Sequence, residues 1–147
     1  LINEISKTEK YITAILLRFK GSRVEYANAA HPDIVLRRKR DMKATVIDEK
    51  KETGGSILGV SGLDKEYNTM EFTMEEGDVL VAFSDGLIEG KNRSGRCYGF
   101  TGISAALEST GTGSAADILN YIISDYNNFR NGEAVKDDMT VIVAVKK

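Results

Sequence analysis

The sequence predicts an α+β fold, and three observations carry that prediction. Short β-rich runs, apolar on one face or both, succeed one another from Ile12 to Phe83 with turns between them. Two later stretches, about 101–108 and 115–129, space their apolar residues as helices do. A last apolar run, Met139 to Val145, returns to strand composition. A chain of 147 residues is long enough for one domain with a real core, and no Pro-, Gly- or Ser-rich linker divides it.

In order, residues 1–10 read as the end of a helix, with Leu1, Ile2 and Ile5 at helical spacing. Ile12 to Phe19 reads as a buried strand, Lys20-Gly21-Ser22 as a turn and Arg23 to Ala27 as its hairpin partner. Asn28-Ala-Ala-His31-Pro32 breaks the pattern, and Ile34 to Arg37 and Ala44 to Ile47 resume it around a turn. Arg37, Arg38, Lys39 and Arg40 then form a basic cluster at a hairpin tip, expected to be a solvated turn, with a docking patch for an acidic partner as the alternative. Residues 49–56 are charged and glycine-rich, an exposed loop, and Ile57 to Val60 is a short apolar piece. From Tyr67 to Met74 the chain alternates, with Met70, Phe72 and Met74 on the apolar face.

The run Asp78 to Ser84 organises the rest. Val79, Val81 and Phe83 fall on one face and Leu80 and Ala82 on the other, so this strand is expected to be central in a sheet. It ends at Asp85-Gly86, where glycine permits a sharp turn and the strand delivers a carboxylate to the mouth of the core. A polar loop, 90–95, follows. The helix at 101–108 turns Ile103, Ala106 and Leu107 inward. The helix at 115–129 opens on a capping box of Ser114 and Asp117 and carries a stripe through Ile118, Ile122, Tyr126 and Phe129. Met139 to Val145 is apolar on both faces and is also expected to be central.

Composition excludes several classes. The formal net charge is −2 with both signs interspersed, so the basic footprint of a nucleic-acid binder is missing. The apolar runs fall far short of the roughly 20 residues of a membrane span. A single cysteine, Cys97, permits no disulfide within the chain. With no charged and apolar leader at the start, this predicts a reducing, cytoplasmic location. The first residue is Leu1 rather than Met, so the chain is expected to be a piece of a longer protein.

Two acidic positions bear chemistry. Asp85 ends one doubly apolar strand, and Asp137 and Asp138 precede another. If those strands are antiparallel neighbours, the carboxylates meet at one end of the sheet. Clustered carboxylates repel, and a divalent cation would resolve that repulsion. Oxygen-only ligands favour Mg²⁺ or Mn²⁺ over Zn²⁺. The same residues also fit a plainer reading, since Asp-Gly is a common turn and Asp-Asp before a strand is commonly a solvated loop. The residues alone leave both open.

The stretch Asp85-Gly86-Leu-Ile-Glu89-Gly-Lys-Asn92-Arg-Ser-Gly95-Arg-Cys-Tyr98-Gly99 resembles a signature of the SpoIIE/RsbU-type bacterial serine phosphatases. These belong to the metal-dependent, phosphatase 2C-like (PPM) superfamily. Tyr11-Ile-Thr-Ala14, Tyr26-Ala-Asn28-Ala-Ala-His31-Pro32 and Asp137-Asp138-Met-Thr140 resemble three further motifs of that family, in its order and across nearly the whole chain. Ala30 stands where the family usually has glycine. The family's opening Gly-Asp motif, whose aspartate bridges two metals, has no match.

The resemblance implies an α-β-β-α sandwich of antiparallel sheets flanked by helices. Residues 1–147 would form an N-terminally truncated, partial phosphatase domain. Asp85 and Asp137 would be metal ligands that act through metal-bound water, Asp138 would orient ligands or water beside them, and Gly86 would be the supporting turn. Glu89, Asn92 and Gly95 would fix the loop after Asp85, and His31 would shape its own loop by hydrogen bonds. The cofactor would be Mn²⁺ or Mg²⁺, binuclear in the intact domain and incomplete here. The implied reaction is hydrolysis of phosphoserine or phosphothreonine on a regulatory protein, an anti-sigma-factor antagonist, by a water that two metals activate. This chain alone would be weak or inactive and prone to self-association through its truncated surface. Two other readings remain: a non-catalytic module of the same fold that binds a regulatory protein, and a small antiparallel-sheet binding domain whose acids are accidental.

Overall fold

The structure, a computed structural model, describes residues 11–48, 50, 52–60 and 67–147. The helix end expected over residues 1–10 lies outside them. In chain order the elements are β1 (Ala14–Lys20), β2 (Arg23–Ala29), β3 (Val35–Arg37), β4 (Ala44–Val46), β5 (Met70–Thr73), β6 (Val79–Phe83), α1 (Asp85–Ile88), α2 (Gly99–Ser109), α3 (Ala115–Arg130) and β7 (Val141–Val145). They fall into two compact units, Leu1–His31 with Asp48–Thr73, and Pro32–Ile47 with Met74–Lys147.

Among the described residues, the first unit holds a three-stranded antiparallel sheet in the order β1-β2-β5. The β1–β2 hairpin forms as expected. Its register pairs Lys20 with Arg23, and Gly21 takes the left-handed φ of +61° that the tight turn requires. β2 carries the core, with Val24 and Tyr26 fully buried. The expectation that β1 is buried is corrected, because Leu16 is 69% exposed and Phe19 52%. The physical reason is position: among the described residues β1 is an edge strand, and its Arg18 and Lys20 hold it to β2 through Glu25 at the surface.

The second unit holds a four-stranded antiparallel sheet in the order β4-β3-β6-β7. β6 is interior, as its double apolar pattern predicts. Val79, Val81 and Phe83 join Leu87, Ile103, Leu107, Ile118, Ile122 and Tyr126 in one core, and Leu80, paired with Leu36, is buried too. α3 opens on the expected capping box, in which the Ser114 hydroxyl accepts from the Asp117 N–H and the Asp117 carboxylate accepts from Ser114. The expectation for the last strand is corrected. β7 pairs only with β6, so it is an edge strand among the described residues. Val141, Val143 and Val145 pack on the core, while Ile142 on the opposite face is 60% exposed.

The basic cluster at 37–40 is also corrected, for it divides between core and surface. Arg37 is 1% exposed. Its guanidinium donates to the carbonyls of Leu107 at 3.1 Å, Thr110 at 2.8 Å and Gly111 at 3.3 Å, and to the Thr110 hydroxyl. These carbonyls lie at the C-terminal end of α2, where intrahelical partners run out and a positive charge is favoured. Arg38 turns to Asp78, donating to its Oδ2 at 2.9 Å, and only Lys39 and Arg40 remain as an exposed turn.

Asp78 ties the start of β6 to the end of β3. Its carboxylate is buried and accepts from Arg38, from the Lys39 N–H at 2.8 Å and from the Glu75 N–H at 2.9 Å. Burial alone would push its pKa up. The two backbone donors and the Arg38 guanidinium outweigh burial and hold it below the usual carboxylate range. A depressed folded value means that the ionised form stabilises the fold at neutral pH, and that this contribution is lost as pH falls through the folded value. Asp78→Asn is therefore expected to cost about 1–3 kcal/mol at neutral pH. In urea melts of the two proteins, that difference should shrink as the pH drops below about 4. A difference that stays constant from neutral to acid pH would contradict this role.

Candidate functional site

The site grows from the end of the β6–β7 pair. The register places Phe83 opposite Val141, and pairing continues one step further. The Ser84 N–H donates to the Thr140 carbonyl at 3.0 Å. The Ser84 hydroxyl accepts from the Thr140 N–H at 2.9 Å and donates to the Asp138 carbonyl at 3.3 Å. This side-chain clamp closes the ladder where the strands stop. Ser84 is the N-cap of α1, and Asp85 is the helix's first residue. The single turn α1 is too short to show a helical period, so the sequence read this segment only as a sharp turn.

Gly86 is buried, and the reason for a glycine differs from the one expected. Its φ is not left-handed. A Cβ there would lie 2.5 Å from the Asp138 carbonyl oxygen and 3.5 Å from that of Asp137. The backbones of 86 and 137–138 abut, and only glycine allows that approach. The antiparallel pair thus brings Asp85 and the Asp137-Asp138 pair to the same end of the sheet.

Tyr126 of α3 braces the turn from below. It is 1% exposed, and its hydroxyl donates to the Gly86 carbonyl at 3.2 Å. A Cβ on Gly90 would fall 2.0 Å from that hydroxyl, so Gly90 too is fixed by a close approach. Tyr98 meets Tyr126 edge-on, with centroids 5.3 Å apart, and donates to Asp125 at 2.7 Å. Burial, and then the Asp125 carboxylate, push the Tyr98 ionisation well above its ordinary value, so it stays a neutral donor. Sequence reasoning assigned Tyr126 only to the core stripe and did not single out Ser84. The signal for Tyr126 was a hydroxyl on a helix's buried face, which needs a partner.

The loop after Asp85 is ordered as expected for Asn92 and Gly95. Asn92 Oδ1 accepts from the Ser94 N–H, the Ser94 hydroxyl and the Arg96 N–H at 2.8–3.1 Å, and Gly95 has a φ of +79°. In the first unit, Asn28 does the same for its own turn. It accepts from the His31 N–H at 2.8 Å and donates to the His31 carbonyl at 2.9 Å, while the His31 ring shares a hydrogen bond with Thr13.

Asp85, Asp137 and Asp138 are exposed. Each of the first two accepts from the next residue's N–H, Gly86 at 3.0 Å and Asp138 at 2.8 Å. Among the described residues, none of the three forms an ion pair with Lys or Arg, although Lys136 precedes Asp137 in the chain. Nor do three His, Cys, Asp or Glu side chains gather among the described residues as a set that could hold a metal. Unpaired, solvent-facing carboxylate oxygens fit part of the shell of a hard divalent cation. Beside them lies a cleft of about 380 Å³, lined by Gly86, Asp137, Asn92, Arg93, Lys136 and Tyr126 among others. No helix among the described residues is long and apolar enough to cross a membrane.

Two antiparallel sheets and this arrangement of helices define the phosphatase 2C class of fold, as solved structures bear out. The chain is similar to the phosphatase domain of the cell fate determinant SpoIIE from Bacillus subtilis, with a TM-score of 0.66, 14% identity, and coverage of 95% of this chain and 58% of that one. It is similar to the RsbU and RsbW domains of a Mycobacterium tuberculosis protein, with a TM-score of 0.65, 21% identity, and coverage of 90% and 36%. It is also similar to the catalytic domain of the serine/threonine phosphatase PstP, solved with two manganese ions, with a TM-score of 0.60, 17% identity, and coverage of 99% and 67%. The chain thus spans a little over half of the B. subtilis domain. The sequence profile of the stage II sporulation protein E (SpoIIE) family matches residues 1–146, and the chain belongs to that family. No curated protein matches it.

The close approach at Gly86 makes a direct prediction. Gly86→Ala should force the Asp138 carbonyl away and cost about 1–3 kcal/mol, whereas Tyr126→Phe should cost about 1 kcal/mol for the lost hydrogen bond. Urea melts measure both. Amide exchange at Thr140 should quicken in Gly86→Ala, and an unchanged Thr140 rate would contradict the clamp.

Proposed function

We propose that this chain is the metal-binding and substrate-facing part of a protein serine/threonine phosphatase. On this reading it hydrolyses phosphoserine or phosphothreonine on a regulatory protein in the cytoplasm, an anti-sigma-factor antagonist. The observation that carries the reading is the end of the β6–β7 pair. There Asp85 and Asp137-Asp138 stand together, with their backbones in contact through Gly86 and no Lys or Arg paired with the acids among the described residues. Membership of the SpoIIE family supports it, as does the manganese in the PstP structure.

Asp85 and Asp137 would hold Mn²⁺ or Mg²⁺. The bound cation would polarise phosphoryl oxygens and acidify water. The Ser84 clamp to the Asp138 carbonyl and the Thr140 N–H would hold the backbone beside both acids, so that little reorganisation would be needed when a ligand arrives. Asp138 turns its carbonyl toward Ser84 and Gly86, and on this reading its exposed carboxylate would orient a ligand or water. The Gly-Asp motif that supplies a bridging ligand in the family has no match in these 147 residues. The chain by itself is therefore proposed to bind metal weakly and to release little phosphate.

Calorimetric titration with Mn²⁺ tests the reading. Weak binding is expected in the chain as it stands, and its loss is expected in both Asp85→Asn and Asp137→Asn. Binding that survives either change would separate the acids and remove the proposal. Phosphate release from an aryl phosphate at the rate of an intact phosphatase domain would remove the expectation of low activity.

A further inference from the structure

We propose that β7 pairs with β7 of a second copy of this chain, antiparallel and centred on Ile142, so that the lysines of each copy meet the acids of the other. Among the described residues, β7 bonds to β6 on one side only. Its even-numbered residues make those bonds: the Thr140 carbonyl accepts from the Ser84 N–H, and Lys146 bonds to the backbones of Gly77 and Asp78. In an antiparallel ladder the alternate residues turn their N–H and C=O the other way, so Val141, Val143 and Val145 present theirs at the open edge. The other edge strands are guarded. β1 carries Arg18 and Lys20, β5 carries Glu71, and β4 has only 3 residues and gives its Ala44 N–H to Glu108. β7 has no charge, proline or bulge between Val141 and Val145, and its Ile142 is 60% exposed.

The charges around β7 select both the occupant and the register. Asp137-Asp138 precede the strand and Lys146-Lys147 follow it. A strand with acids at one end and lysines at the other is complementary to itself when antiparallel. With a twofold axis at Ile142, Asp138 lies opposite Lys146 of the second copy, and Asp137 lies opposite Lys147 of the second copy. Val141 then bonds to Val143 of the second copy and Met139 to Val145 of the second copy, which satisfies the outward backbone groups. Ile142 meets its own copy across the axis in a non-hydrogen-bonded pair, where Cα atoms lie about 4.5 Å apart, so each side chain covers the other. An axis moved to Val143 would set Lys147 opposite Met139 and carry both acids past the last lysine. Within one chain, Asp137 and Asp138 form no ion pair with Lys or Arg among the described residues. The second copy supplies the cations that this end of the sheet lacks.

Sedimentation equilibrium of the 147-residue chain over a series of concentrations tests the pairing. A one-strand contact is small, so the average mass should rise from one chain toward two only as the concentration approaches about 100 µM. Ile142→Lys sets two like charges on the axis and should keep the chain monomeric throughout, with circular dichroism unchanged. The register is tested by cross-linking in air on a Cys97→Ser background, which removes the exposed native thiol. Ile142→Cys should give a disulfide-linked dimer, because the pair at the axis lies within disulfide reach. Thr140→Cys should not, because it lies opposite Ala144 of the second copy rather than its own counterpart. A chain that stays monomeric across the series, a dimer that Ile142→Lys leaves intact, or cross-linking as ready at Thr140→Cys as at Ile142→Cys would overturn the proposal. None of these measurements needs metal or turnover. A failure here removes the strand pairing alone, while the Mn²⁺ titration bears on the phosphatase reading.

Discussion

The contact between Gly86 and the Asp138 carbonyl is the constraint on which the second unit's site depends. Two strands can bring two acids to the same end of a sheet only if their backbones stay in register to the last residue. Here the ladder would fray after Phe83 and Val141, because the chain on each side leaves the sheet. Ser84 prevents that by using its hydroxyl as both acceptor and donor to the opposite backbone. The absence of a side chain on Gly86 lets the two segments close, and Tyr126 fills the space beneath and bonds to the Gly86 carbonyl. Each of these residues acts through the backbone, so the carboxylates themselves remain open to solvent.

The same logic holds β6 at its other end. Asp78 and Arg37 are charged groups inside the fold, and hydrogen bonds offset the burial of each, although the buried Nε of Arg37 has no hydrogen-bond partner. Asp78 accepts from a guanidinium and two backbone N–H groups, and Arg37 donates to carbonyls that a helix end leaves without partners. Together they fix the start of the central strand to β3 and fix β3 to α2. A strand pinned at its origin and clamped at its end is a stiff carrier for a carboxylate, and such rigidity is what a metal or phosphate site requires.

Much of this was legible in the sequence, and the gaps have physical causes. β6 reads clearly because a continuous apolar run bounded by Gly77 and Gly86 has few other fates. The β1–β2 hairpin and the cap of α3 read clearly because Gly21, Ser114 and Asp117 act on residues next to them. Burial was less legible. β1 and β7 look like core strands by composition, yet among the described residues each lies at an edge, and composition does not record how many neighbours a strand finds. Arg37 looks like part of a solvated run, and its partner carbonyl at Leu107 lies 70 residues away. The site divides in the same way. The acids could be found from strand ends and motif resemblance, and Asn92 from its place in the motif. The role of Ser84 depends on a strand more than 50 residues later, and Gly86 was read as a turn because its close neighbour is equally distant.

The most direct measurement is the anomalous diffraction of crystals of this chain soaked in Mn²⁺. If the β6–β7 end is a metal half-site, a single anomalous peak should lie within coordination distance of carboxylate oxygens from both Asp85 and Asp137. A peak bound by only one of the two, or manganese found only elsewhere on the surface, would contradict a shared site and leave the acids as ordinary residues of two adjoining turns.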